Sequence, residues 1–104
     1  MISNLEKLLG GPRDGALLRY SLGLEYEKAG RQEDAATQLR EAVARDPLYS
    51  AAWKALGRVL GESAEAMEAY RRGIEAAGRK GDRQAGKEMT VFLRRLEKKL
   101  GGAA

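Results

Sequence analysis

The sequence predicts an all-α chain of antiparallel helix–turn–helix repeats, about six helices in one domain spanning residues 1–104. Three observations carry that prediction. Ala, Leu, Glu, Arg and Lys dominate, the residues that give up least side-chain freedom in a helix, while only 6% of residues are aromatic and two are proline. Most of the thirteen glycines fall where an apolar helical period breaks, so they mark helix ends rather than interrupt helices. The chain also pairs with itself at a shift of 34 residues, matching Leu22 with Leu56, Gly23 with Gly57, Tyr26 with Leu60 and Arg19 with Trp53.

The breaks at Gly10, Gly11, Gly15, Gly30, Gly61, Gly78, Gly81, Gly101 and Gly102 delimit the helices. A first helix is expected over about Ser3 to Leu9, opened by Ser3 and Glu6 in capping-box spacing and stopped by Gly10, Gly11 and Pro12. A second, about Gly15 to Ala29, sets Leu18, Leu22, Tyr26 and Ala29 on one face. A third, about Gln32 to Arg45, repeats the pattern with Ala35, Ala36, Leu39, Ala42 and Val43, and Asp46–Pro47 ends it. The fourth, about Tyr49 to Leu60, carries Ala52, Trp53, Leu56 and Leu60. A tight joint at Gly61, Glu62 and Ser63 leads to the fifth, about Ala64 to Ala77. The last starts after Asp82, a good N-cap, and sustains Met89, Phe92, Leu93, Leu96 and Leu100. Each helix is short enough to need tertiary packing, and the short joints make neighbours antiparallel.

The segment from Ala16 to Tyr49 closely resembles the tetratricopeptide repeat, a helix–turn–helix unit of 34 residues. Leu22, Gly23 and Tyr26 stand for that family's Leu-Gly-x-x-Tyr, Ala35 and Leu39 for its Ala-x-x-x-Phe, and Pro47 closes the unit; Arg19 takes the tryptophan's place. A second unit supplies Trp53, Leu56 and Gly57, then Ala66 and Tyr70. Ala66 follows Ala35 by 31 residues, so this unit is shortened, and Gly78 stands for the closing proline. The layout is an N-terminal helix (1–12), repeat one (16–49), repeat two (50–78) and a capping helix (82–101), similar to small bacterial proteins of this class. A generic bundle is the alternative, but bundles need no such register. Two repeats fall short of the roughly three that stabilise such an array, so the flanking helices are expected to cover its ends. Small residues at Gly23, Ala35, Ala42, Gly57, Ala66 and Gly73 let helices approach, and Trp53 is expected between the two hairpins.

Function is bounded mainly by what the sequence lacks. With no cysteine and no histidine there is no thiol nucleophile, imidazole base, disulfide or thiolate zinc site, and no serine has a histidine to activate it. Carboxylate pairs such as Glu25 with Glu27 and Glu33 with Asp34 sit beside bases on exposed faces and read as solvated charge. The expectation is a non-enzyme that needs no cofactor. No run of about 18 apolar residues occurs, which points to a soluble, cytoplasmic protein without a membrane span.

The family resemblance implies a concave groove lined by the first helix of each repeat and holding a partner's peptide or protein segment. It places Leu17, Tyr20, Leu24 and Glu27 there, followed by Ala51, Lys54 and Arg58. The stripe Leu17, Tyr20, Leu24 is independent support, since a lone hairpin rarely needs a second apolar stripe. If the N-terminal helix folds over Tyr20 and Leu24, no groove remains. The clamp with which some members hold a C-terminal carboxylate is not carried over: Tyr20, Leu24 and Ala55 occupy its positions. Lys54 and Arg58 still favour an acidic segment.

The net charge of +4 is uneven, with 8 bases and 3 acids after residue 78. Arg83, Lys87, Arg94 and Lys98 form a stripe on the last helix, with Arg95 alongside. Such stripes attract phosphates or anionic lipids, but no aromatic residue interleaves and Glu88 and Glu97 dilute the charge, so a solvated cap is favoured over a nucleic-acid partner. The alternatives to a peptide-binding module are therefore a protein that self-associates through an open groove and a binder of nucleic acid or anionic surfaces through this stripe.

Overall fold

A computed structural model describes residues 1–101, so Gly102 lies outside the described residues. Within them the chain forms six helices and no strand: α1 (Ile2–Glu6), α2 (Ala16–Lys28), α3 (Gln32–Arg45), α4 (Ser50–Leu60), α5 (Ala64–Lys80) and α6 (Arg83–Leu100). Each helix from α2 packs on the next in sequence, giving hairpins α2–α3 and α4–α5 with α6 laid on α5 as α4 is laid on α3. The backbones of α2, α4 and α6 also come close in succession, whereas those of α3 and α5 stand further apart and meet through side chains such as Arg40 and Glu65, 3.1 Å apart. The first helices are therefore the tighter, concave layer. The molecule measures 46 × 29 × 18 Å with a radius of gyration of 13.9 Å.

Three apolar clusters hold the stack. α1 sets Ile2, Leu5 and Leu9 against Leu22, Tyr26 and Ala35. The hairpins meet through Leu39, Ala42, Val43, Ala52 and Leu56. α6 seals the far end, with Met89 and Leu96 packed against Met67, Tyr70 and Ala77. Trp53 touches the second and third of these clusters and so joins the hairpins as expected. It stays half-buried, and its indole N–H donates to the Pro47 carbonyl at 2.8 Å. Glycine makes the close approaches possible: a Cβ on Gly23 would sit 2.7 Å from Leu39 Cγ, one on Gly57 would overlap the Tyr70 ring, and one on Gly73 would meet Met89.

Two ends differ from the sequence expectation. α1 stops at Glu6, and the capping box does not form: Ser3 lies inside the helix and no side chain caps it. Glu6 instead accepts a hydrogen bond from the buried Tyr26 hydroxyl, a tertiary partner that local spacing cannot reveal. α5 runs through Gly78 to Lys80, because its stop is Gly81, left-handed at φ 75. Ala77, the last residue of the expected helix, packs against Gly86 of α6, 3.6 Å from where a Cβ on that glycine would stand. Asp82 caps α6 as expected, accepting from the Ala85 amide, and it also receives a 2.9 Å hydrogen bond from buried Ser50 at the start of α4.

Where the family's tryptophan is replaced, Arg19 forms a two-pronged pair with Asp14 at 2.9 Å and bonds Gln38 of α3 at 3.1 Å. Asp14 also accepts from the Gly10 amide at 2.8 Å. These bonds, the Arg19 pair foremost, hold the Asp14 carboxyl far below the usual carboxylate range. The turn between α1 and α2 is thereby fixed to the first hairpin.

Candidate functional site

Of the groove candidates, Leu17, Tyr20, Leu24 and Glu27 stand on α2 and Ala51, Lys54 and Arg58 on α4, two inner helices that touch. Leu17 is 69% exposed at its α2 edge. Tyr20 and Leu24 are half-buried, and the Tyr20 ring lies 4.9 Å from Tyr49 at a tilt of 43°. α1 packs on the Leu22–Tyr26 side of α2 and leaves Tyr20 and Leu24 uncovered by its own apolar residues. Ala51 is half-buried on α4.

The two bases expected to await a partner are already engaged within the chain. Arg58 binds Glu27 through two hydrogen bonds of 2.6 and 2.7 Å, bridging α4 to α2, and that bond raises the guanidinium pKa. Lys54 binds Glu88 at 2.8 Å, bridging α4 to α6, and lowers the Glu88 carboxyl pKa. A third cross-link joins Glu62 at the α4–α5 joint to Lys99 of α6.

Between α4 and α6 the layer opens into a cavity of about 430 Å³. Its apolar part is Tyr70, Phe92 and Leu96 around Gly57, with the Tyr70 and Phe92 rings 5.6 Å apart. Tyr70 reaches the concave side from α5 only because Gly57 has no side chain, and burial pushes its hydroxyl pKa up, so it stays neutral. Lys54, Arg58, Glu88, Arg95 and Lys99 form the rim, and among the described residues Arg95 is the rim base without an ion-pair partner.

Tyr70, Phe92, Leu96 and Arg95 are the lining residues that sequence reasoning assigned elsewhere, to core or cap. A signal existed: carrying the 34-residue register one step further aligns Phe92 with Arg58 and Glu88 with Lys54, making α6 a third inner helix. The basic stripe of Arg83, Lys87, Arg94 and Lys98 lies on the other flank of α6, where the first three of these residues, with Ile74, Gly78, Gly86 and Val91, line a separate groove of about 840 Å³. No group of acidic side chains among the described residues is arranged to hold a metal ion, and no helix there is long and apolar enough to cross a membrane.

Comparison with known proteins agrees with this geometry. The tetratricopeptide-repeat model matches residues 16–59. A TPR repeat-containing protein of Pseudomonas aeruginosa is 48% identical over 101 residues, covering 94% of this chain and 96% of that protein. A heat-shock cognate co-chaperone of Aspergillus fumigatus is 36% identical over 81 residues, and the match spans 75% of this chain but 24% of the co-chaperone. The solution structure of a Bordetella parapertussis protein, 41% identical, superposes with a TM-score of 0.78 over 95% of this chain and 89% of that one. A near full-length relative, a shared backbone and a 34-residue register that sets consecutive inner helices side by side leave one conclusion: this chain belongs to the tetratricopeptide-repeat family.

Proposed function

We propose that the chain is a non-catalytic adaptor that holds a segment of a partner protein along its concave face. Tetratricopeptide repeats generally mediate protein–protein interaction. The observation that carries the reading is the α4–α6 cavity, with Tyr70, Phe92 and Leu96 as its apolar wall and the unpaired Arg95 at its rim. An apolar anchor fills the cavity and supplies most of the affinity, while an acidic group beside it meets Arg95 and sets orientation. The segment then continues over Tyr20 and Leu24 toward exposed Leu17. Glu27, Lys54 and Arg58 act there mainly as struts between the inner helices, since each already has an opposite charge in contact.

The test uses a partner captured by photo-crosslinking from a probe placed at position 95. Arg95→Glu and Leu17→Asp alter exposed or rim side chains, so both variants should fold, and together they should weaken binding at least tenfold, about 1.4 kcal/mol. Wild-type affinity in the double variant would sink the proposal.

A further inference from the structure

The cations of this chain are unevenly satisfied. From residue 14 to residue 78 every Lys and Arg has a carboxylate within ion-pair distance: Arg19, Lys28, Arg31, Arg40, Arg45, Lys54, Arg58, Arg71 and Arg72. Beyond residue 78 only Arg79 and Lys99 are paired among the described residues. Arg83, Lys87 and Arg94 stand unpaired along the groove between α5 and α6, on the flank of α6 away from the concave cavity. The groove measures about 840 Å³, and apolar and small residues form its floor: half-buried Ile74, buried Ala77, Gly78, Gly86, and Val91 at 46% exposure. Nothing approaches within 4 Å of where a Gly78 Cβ would stand.

We infer that this outer face is a second docking surface, and that its occupant is an amphipathic helix of another protein with acidic residues flanking an apolar stripe. From Arg83 to Arg94 the rim runs roughly 16 Å along the α6 axis, about three helical turns. A groove between two antiparallel helices accepts the ridge of a third, as α4 accepts neighbours on both sides in this same stack. The glycines bring the visiting backbone close, Val91 and Ile74 meet its apolar stripe, and Arg83, Lys87 and Arg94 meet its carboxylates.

The other occupants fit less well. A second copy seated on the same face would oppose Lys87 and Arg94 with themselves, and like charges repel. A nucleic-acid duplex would satisfy the bases but set its phosphates over an apolar floor, and the groove has no aromatic side chain for single strands to stack on. A bilayer needs a protruding apolar face, whereas this floor is recessed. The surface is separate from the concave cavity and does not depend on the function proposed for it.

The probe is a synthetic 18-residue helix with a leucine stripe flanked by glutamates, titrated into the full chain labelled with nitrogen-15. Its controls are a scrambled peptide of the same composition, a duplex RNA and vesicles containing phosphatidylserine. Saturable binding is expected to shift the amides of Gly78, Gly86, Thr90 and Val91, to fall at least tenfold in Val91→Asp and in the double variant K87E/R94E, and to be unchanged in Arg95→Glu. Val91 is exposed, so its variant should melt as the wild type does; K87E/R94E carries the test if it does not. No saturable binding, equal binding of the scrambled peptide, or shifts confined to Phe92 and Leu96 would overturn the inference. So would RNA or vesicle binding that is tighter than the peptide's and indifferent to Val91→Asp, or a dimer by light scattering that Val91→Asp dissolves.

Discussion

A single missing methyl group decides how Tyr70 sits. Gly57 lets the ring cross from α5 to the concave surface, so Gly57→Ala should displace it and cost about 1–3 kcal/mol in thermal or denaturant unfolding. Gly78 has open space around it and an ordinary helical backbone, so Gly78→Ala should instead stabilise by about 0.5–1 kcal/mol. Measured together, the two signs separate crowding from helix propensity. The sequence marks Gly57 as a position of close approach and Gly78 as a stop; only the packing shows what each does, because a ring 13 residues further along the chain lies against the first and open space surrounds the second. Arg19 was legible as a departure from the family pattern, but its bond to Asp14 was not, since nothing in the spacing says which acid a long side chain will reach. That bond sets a pH response. The folded Asp14 pKa is depressed, so its contribution is complete above the unfolded value of about 4 and is lost as pH falls below it. Asp14→Asn should therefore flatten the acid limb of the stability profile below about pH 4 while leaving the fold intact at pH 7.

At the scale of elements, α6 is both wall and lid. It buries Met89 completely and covers Tyr70, and its inner flank forms one side of the concave cavity. Truncation after Gly81 should leave Met67, Tyr70 and Ile74 exposed, and the truncated chain should aggregate or lose its cooperative melting transition. A monomeric truncation that melts like the full chain would show the helix to be an accessory. Element positions were the most legible part of this sequence, because apolar spacing and left-handed glycines at Gly30, Gly61, Gly81 and Gly101 act locally. The bounds of α1 were not, since a helix of five residues has no stability of its own and extends only as far as Tyr26 and Ala35 support it. The α4–α6 cavity is not legible for a related reason: position at the end of the chain marks α6 as a cap, and only its register with α4 shows that it continues the inner layer.

For the molecule as a whole, curvature and charge are linked. The inner helices are tied in series by Glu27 with Arg58, Lys54 with Glu88, and Glu62 with Lys99, all partly or fully in solvent. Each exposed pair adds little to folding stability, so melting should depend weakly on salt. Shape should depend on it more. At 1 M salt, where charges are screened over about 3 Å, small-angle scattering should give a larger radius of gyration than at low salt, with the helix content unchanged. A radius independent of salt would show that apolar packing alone sets the bend. If the radius grows with salt, the concave face is a spring whose stiffness ionic strength tunes, and the groove proposed for a partner segment has a width that follows the salt around it.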